Sequence, residues 1–150
     1  MEKIKYGLMG CSRKQTNVGD YVQAIAAKQY LPTVDVYRDR EELNTYKGEE
    51  IKMIMNGWYM HNADNWPPSK SIDPLFVSMH INSSVYDGMT RPESINYFKQ
   101  HQPIGCRDKA TANLLQKHGV DAYFSGCLTL TLGKTYIRKE ENVTDEILFI

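Results

Sequence analysis

The chain has 150 residues, with 18 basic and 18 acidic side chains and three cysteines. That length supports one domain with a real core. The balanced charge leaves no global field to draw in nucleic acid or an anionic membrane, so no nucleic-acid partner is expected and any anion site must be local. The longest apolar runs fall far short of a membrane span, and Met1-Glu2-Lys3-Ile4-Lys5 lacks the apolar core of a signal peptide, so no transmembrane segment is expected. Cys11, Cys106 and Cys127, odd in number and widely spaced, read as reduced thiols of a cytoplasmic protein.

Strands and helices alternate along the chain. Ile4–Met9 reads as a first strand ending in Gly10-Cys11-Ser12. Asn17-Val18-Gly19-Asp20 leads into a helix over Tyr21–Leu31, where Val22, Ile25, Ala26 and Tyr30 repeat at helical spacing; Pro32 stops it. Val34–Tyr37 is a second strand, and the charged Arg38–Glu42 after it suits the opening of a short helix. Ile51–Met55 is a third strand running into Asn56-Gly57-Trp58-Tyr59. From there to Pro74 there is no clear periodicity; such segments are usually functional or disordered, and two Trp and a rigid Pro67-Pro68 pair argue against disorder.

Leu75–His80 reads as a fourth strand, Pro92–His101 as a helix, and Ile104–Cys106 as a fifth strand. Lys109–His118 is a helix closed by Gly119. Ala122–Phe124 is a sixth strand, leading to Ser125-Gly126-Cys127 and the alternating Leu128-Thr129-Leu130-Thr131-Leu132. The alternation predicts an α/β domain over residues 1–135: a Rossmann-like, mostly parallel sheet flanked by helices. Residues 136–150 read as a linker and the start of a second unit cut short, ending in the apolar Ile147-Leu148-Phe149-Ile150.

In a parallel sheet the carboxyl ends of the strands share one edge, and ligands of open α/β folds sit there. The residues at those ends are Asn17, Gly19 and Asp20; Asn56 and Gly57; His80 and Asn82; Arg107 and Asp108; Ser125 and Cys127. Arg107 has the planar fork that suits a phosphate or carboxylate, whereas Asp108 is placed either to cap the next helix through Ala110 or Thr111 or to join a site. The Asn17–Asp20 stretch can present helix N-terminal N–H groups to an anion, or serve only as cap and turn. His80 can act as acid or base near neutrality, or be a structural histidine. Cys127 as a nucleophile lacks a neighbouring charge to activate it. Neither a glycine-triplet dinucleotide motif nor a phosphate-binding loop is present, no Cys or His pair has zinc spacing, and no cofactor or metal is expected.

Asn17-Val18-Gly19-Asp20, Asn56-Gly57-Trp58-Tyr59, Ser78-x-His80-Ile81-Asn82, Pro103-Ile104-Gly105-Cys106-Arg107-Asp108-x-x-Thr111 and Phe124-Ser125-Gly126-Cys127-Leu128-Thr129-Leu130-Thr131, in this order, resemble the polysaccharide pyruvyl transferase family from about Lys5 to Leu132. The resemblance implies the N-terminal lobe of a two-domain, GT-B-like fold. It also implies transfer of pyruvate from phosphoenolpyruvate to a sugar hydroxyl of a surface polysaccharide or its precursor, in the cytoplasm, with peripheral membrane contact only through a lipid-linked substrate. It leaves the remaining donor-site residues to a C-terminal lobe that this chain lacks, so that the chain alone is expected to be inactive. It assigns Arg107, His80 and Asp20 to catalysis, and Asn17, Gly19, Asn56, Gly57, Asn82, Asp108 and Ser125 to substrate binding. Ser125-Gly126-Cys127 stands where many relatives have an acidic turn. The alternative reading is a non-catalytic sugar- or nucleotide-binding Rossmann-like module.

Overall fold

A computed structural model describes residues 4–10, 17–137 and 139. Its six strands are β1 (Lys5–Gly10), β2 (Val36–Asp39), β3 (Ile51–Tyr59), β4 (Ile72–Ile81), β5 (Ile104–Cys106) and β6 (Ala122–Phe124). The α-helices are α1 (Val18–Lys28), α2 (Tyr86–Met89), α3 (Pro92–Gln100) and α4 (Lys109–Lys117). The strands form one sheet in the order β2-β1-β3-β4-β5-β6, and every pair is parallel. The Rossmann-like α/β arrangement predicted from the alternation is therefore present. After β1 the chain moves outward to β2, then returns to the other side of β1 and continues outward from β3 to β6. Adjacent connections diverge at β1 and β3, which opens a crevice at their carboxyl ends.

The two sheet faces are filled differently. One carries Met53, Met55, Tyr59, Phe76, Met79, Ile81, Ile104 and Cys106 against Tyr97 and Phe98 of α3 and Leu115 of α4. The other carries Leu8 and Ile54 against Ala27 of α1, with Val77 and Leu128 packed alongside. Asn17 caps α1, its side chain accepting from Gly19 N–H at 3.0 Å. Asp20 lies inside the first turn, because the helix begins at Val18, three residues before the expected start at Tyr21.

The aperiodic stretch after β3 turns out to be the β3–β4 crossover, with no α-helix in it. Trp66 stands in for one. It is 6 % exposed, stacks on Phe98 at 5.2 Å, and meets Tyr59 and Tyr97 edge-on at 5.6 and 5.5 Å. A single large ring thus covers the part of the sheet that a crossover helix usually buries. Leu128–Lys134 is a 3-10 helix, not the strand its alternation suggests. Short side-chain bonds stabilise the turn: Thr131 Oγ1 donates to Leu128 O at 2.6 Å and accepts from Gln29 Nε2 at 2.8 Å, offering the backbone an alternative to a ladder. The apolar run Ile147–Ile150 lies outside the described residues. Replacing Trp66 with Ala should lower the unfolding free energy by about 3–5 kcal/mol in urea titration, because four aromatic neighbours, Tyr59, Phe76, Tyr97 and Phe98, lose their partner at once.

Candidate functional site

Asn56 and Gly57, expected just past the third strand, lie inside β3, which runs on to Tyr59. The backbone there is irregular on both sides of the β3–β4 pair. Met55 pairs with Phe76, but Gly57 pairs with Met79, so β4 spends Val77 and Ser78 opposite Asn56 alone. This is a β-bulge. Gly57 has φ +94° and Ser78 has φ +60°. A Cβ at Gly57 would strike Gln23 Oε1 of α1. A Cβ at Gly105 of β5 would come within 3.0 Å of Phe76 O and 3.1 Å of Val77 Cα, so glycine lets β5 approach the bulge.

The bulge inverts the facing of every residue after it. Phe76, Met79 and Ile81 share one core although Phe76 and Met79 are an odd number of residues apart, while Val77 packs on the other face. His80, alternating with Met79 and Ile81, is turned to the face of α1, opposite Trp58 in register. An unbroken strand would bury it on the Phe76 side.

There His80 meets Asp108. Its Nδ1 lies 2.6 Å from Asp108 Oδ2, with the two side chains 25 % and 33 % exposed. Asp108 also caps α4, as the sequence suggests: Oδ1 accepts from Thr111 N–H at 2.8 Å, and Oδ2 from Thr111 Oγ1 at 3.2 Å. Burial works against its charge. The Thr111 N–H, followed by His80 and the Thr111 hydroxyl, outweighs burial and holds the carboxyl below the ordinary range. An ionised carboxylate only accepts, so the shared proton sits on Nδ1 and Nε2 is left for other chemistry. Arg107 is held by its backbone, donating from N–H to Met79 O at 2.7 Å. Its half-buried side chain makes no ion pair among the described residues.

A second group gathers at the β1–β3 crevice. Arg40, just past β2, is 6 % exposed. Its guanidinium lies 3.6 Å from Asp20 of α1, 3.5 Å from Glu41, and 4.9 Å from the Trp58 ring centroid. Glu41 accepts in turn from the N–H groups of His61 and Asn62 at 2.9 and 3.2 Å. Met9, Gly10, Asp20, Gln23, Ala24, Arg40 and Asn56 line a small cavity here. Asn56 is buried and donates Nδ2–H to Gln23 O at 2.9 Å.

Asp20 and Asn56 meet at the crevice, with Asn17 and Gly19 at the start of α1 and Gly57 against Gln23, while His80 and then Arg107 and Asp108 stand at the ends of β4 and β5, the next two strands along the edge. Asn82 lies beyond β4, where its side chain accepts from Ser84 N–H at 3.5 Å and donates to Ser84 Oγ at 2.8 Å. Ser125 bonds to Ser78 N and Cys106 O. Cys127 Sγ sits against Thr129 Oγ1 at 3.0 Å, not His80, and burial, with Asp108 adding to it, pushes the Cys106 thiol up to about 12. The charged stretch does open a short helix, a 3-10 turn over Arg40–Thr45 capped by Asp39 where β2 ends; Arg40 and Glu41 carry no signal of a site in that pattern, since charges in the first turn of a helix ordinarily face water. Among the described residues, no group of three or more His, Cys, Asp or Glu is placed to hold a metal ion.

The family model for polysaccharide pyruvyl transferases matches residues 17–148, from the α1 cap through every candidate residue above. The chain belongs to the polysaccharide pyruvyl transferase family. No curated protein and no solved structure matches it significantly. No helix among the described residues is long and apolar enough to cross a membrane.

Replacing Asp108 with Ala should cost about 1 kcal/mol at neutral pH, the ordinary worth of an N-cap. Because the folded-state pKa is depressed, the contribution is complete above the unfolded carboxylate value near ~3.9 and disappears as pH falls through the lower folded value. Urea titrations of the two proteins should converge over that acid range.

Proposed function

We propose that this chain transfers pyruvate from phosphoenolpyruvate to hydroxyls of a surface polysaccharide or its precursor, acting in the cytoplasm as one lobe of a two-lobed enzyme. The observation that carries this reading, beside the family, is the His80–Asp108 pair next to Arg107 at the sheet's carboxyl edge. The reaction needs a proton delivered to the enol carbon, which becomes the methyl group, and a positive centre at the adjacent carbon. One sugar hydroxyl adds there and loses its proton; phosphate leaves, and a second hydroxyl closes the ketal. A site must therefore move protons in both directions and hold an anion.

His80 suits the proton transfers. Asp108 fixes its ring through Nδ1, so Nε2 is the atom assigned to deliver a proton and take one back. Arg107 is assigned to the phosphate or carboxylate of the donor, where a fork without an ion pair among the described residues makes two charge-assisted bonds. Asp20 and Asn56 line the crevice, and with Asn17, Gly19 and Gly57 beside them in the chain they are assigned to positioning the substrate. Asn82 lies nearest the His80 strand end and is assigned to the same task.

Whole protein should release phosphate from phosphoenolpyruvate only when a suitable glycan is present. His80→Gln should lower kcat by about 10²–10⁴-fold, and Arg107→Ala should raise the KM for phosphoenolpyruvate by roughly 10- to 100-fold, the loss of one charged hydrogen-bond pair. Absence of acceptor-dependent phosphate release across a broad glycan panel would instead favour a binding module without chemistry.

A further inference from the structure

We propose that Ser125 and Ser78 are positioning residues for His80: the Ser125 hydroxyl locks the β4 bulge in the register that turns His80 onto Asp108. This rests on the reading of His80 as the proton-transfer group. Ser78 is 2 % exposed and has φ +60°, a left-handed conformation that non-glycine residues rarely adopt. Such a conformation persists only where its surroundings hold it. The bulge also takes the Ser78 N–H out of the ladder, where it would be a buried donor with no acceptor.

Ser125, on the loop leaving β6, supplies that acceptor: Ser78 N–H donates to its Oγ at 3.0 Å. The Ser78 hydroxyl donates to Gly126 O at 2.7 Å, tying the bulge to the same loop a second time. Ser125 Oγ donates onward to Cys106 O at 3.1 Å, and Ser125 N–H reaches the same carbonyl at 2.8 Å. One hydroxyl thus bridges β4, β5 and the β6 exit.

The positions bridged are telling. Ser78 precedes His80 by two residues, and Cys106 precedes Asp108 by two residues. The bridge therefore fixes the offset between the two strands that carry the pair, two residues before each member. Without it, a bulge that slips by one residue returns His80 to the opposite face. Ser125 lies in an exposed position, so it can be altered without opening the core.

Ser125→Ala in the whole protein is the test, read by activity and by the NMR signal of the His80 Nδ1 proton. The proposal expects kcat to fall roughly 10- to 100-fold, the usual consequence of a displaced catalytic group, with little change in the KM for phosphoenolpyruvate. It also expects a shifted pH–rate limb and loss of the Nδ1 resonance. Ser125→Thr, which keeps the hydroxyl, should restore all of these. A folded Ser125→Ala protein with the parent's kcat, pH profile and Nδ1 signal overturns the proposal. If Ser125→Ala does not fold, Ser78→Gly replaces it: glycine tolerates φ +60° but loses the tie to Gly126, so an unchanged Nδ1 signal there is equally fatal. Should the parent itself release no phosphate, the transfer reading fails, and the NMR comparison alone decides the positioning claim.

Discussion

One face of β4 is buried in the core and the other is only partly covered, so the parity of β4 governs what the sheet offers at its carboxyl edge. Phe76 must point into the aromatic core that Trp66 and Phe98 close. With strict alternation, His80 would follow Phe76 into that core, away from Asp108, and a polar ring there would be desolvated among aromatic side chains. The extra residue at Val77-Ser78 resolves the conflict. Met79 and Ile81 continue the core, and His80 emerges beside Asp108. Packing and chemistry are satisfied by the same irregularity.

The two charged groups on the edge differ in what remains available to a ligand. At the crevice, Arg40 is buried and already lies against Asp20 and Glu41, so two carboxylates meet one guanidinium. Such a cluster favours hydroxyl recognition over anion binding, since an incoming phosphate would face net negative charge. Near β5, Arg107 makes no ion pair among the described residues, and its neighbour Asp108 is committed to Thr111 and His80. On the proposed reading, this division suits the joining of an anionic donor to a hydroxyl acceptor.

Much of this was legible in the residues, and the reasons for the rest are specific. Ile104–Cys106 and Ala122–Phe124 show their limits because each is a short apolar run between polar turns. Asp108 is recognisable as a cap by its place before Lys109–Lys117. The bulge was not legible: Phe76-Val77-Ser78-Met79 carries no Gly or Pro to mark it, and the bonds that hold it come from residues 47 and 48 positions away. For the same reason Ser125 read as a ligand contact, although its hydroxyl is engaged within the fold. Thr131 misleads in the opposite sense, since its alternation with leucines imitates a strand while its hydroxyl closes a 3-10 turn.

On the proposed reading, the donor itself sets a further requirement. Phosphoenolpyruvate carries both a phosphate and a carboxylate, and one guanidinium fork can make a bidentate pair with one of them. The N-terminus of α4 cannot readily hold the other, because Asp108 already occupies it as the cap. Arg40 cannot serve without losing Asp20 or Glu41. A second cation is then needed near the His80 end, and Lys109, exposed at the first position of α4 beside the Asp108 cap, stands closest to it in the chain. On the same reading a facing lobe is the other source, and a point charge on a flexible stem would complement the rigid fork of Arg107 by following the donor's second anionic group as the ketal forms.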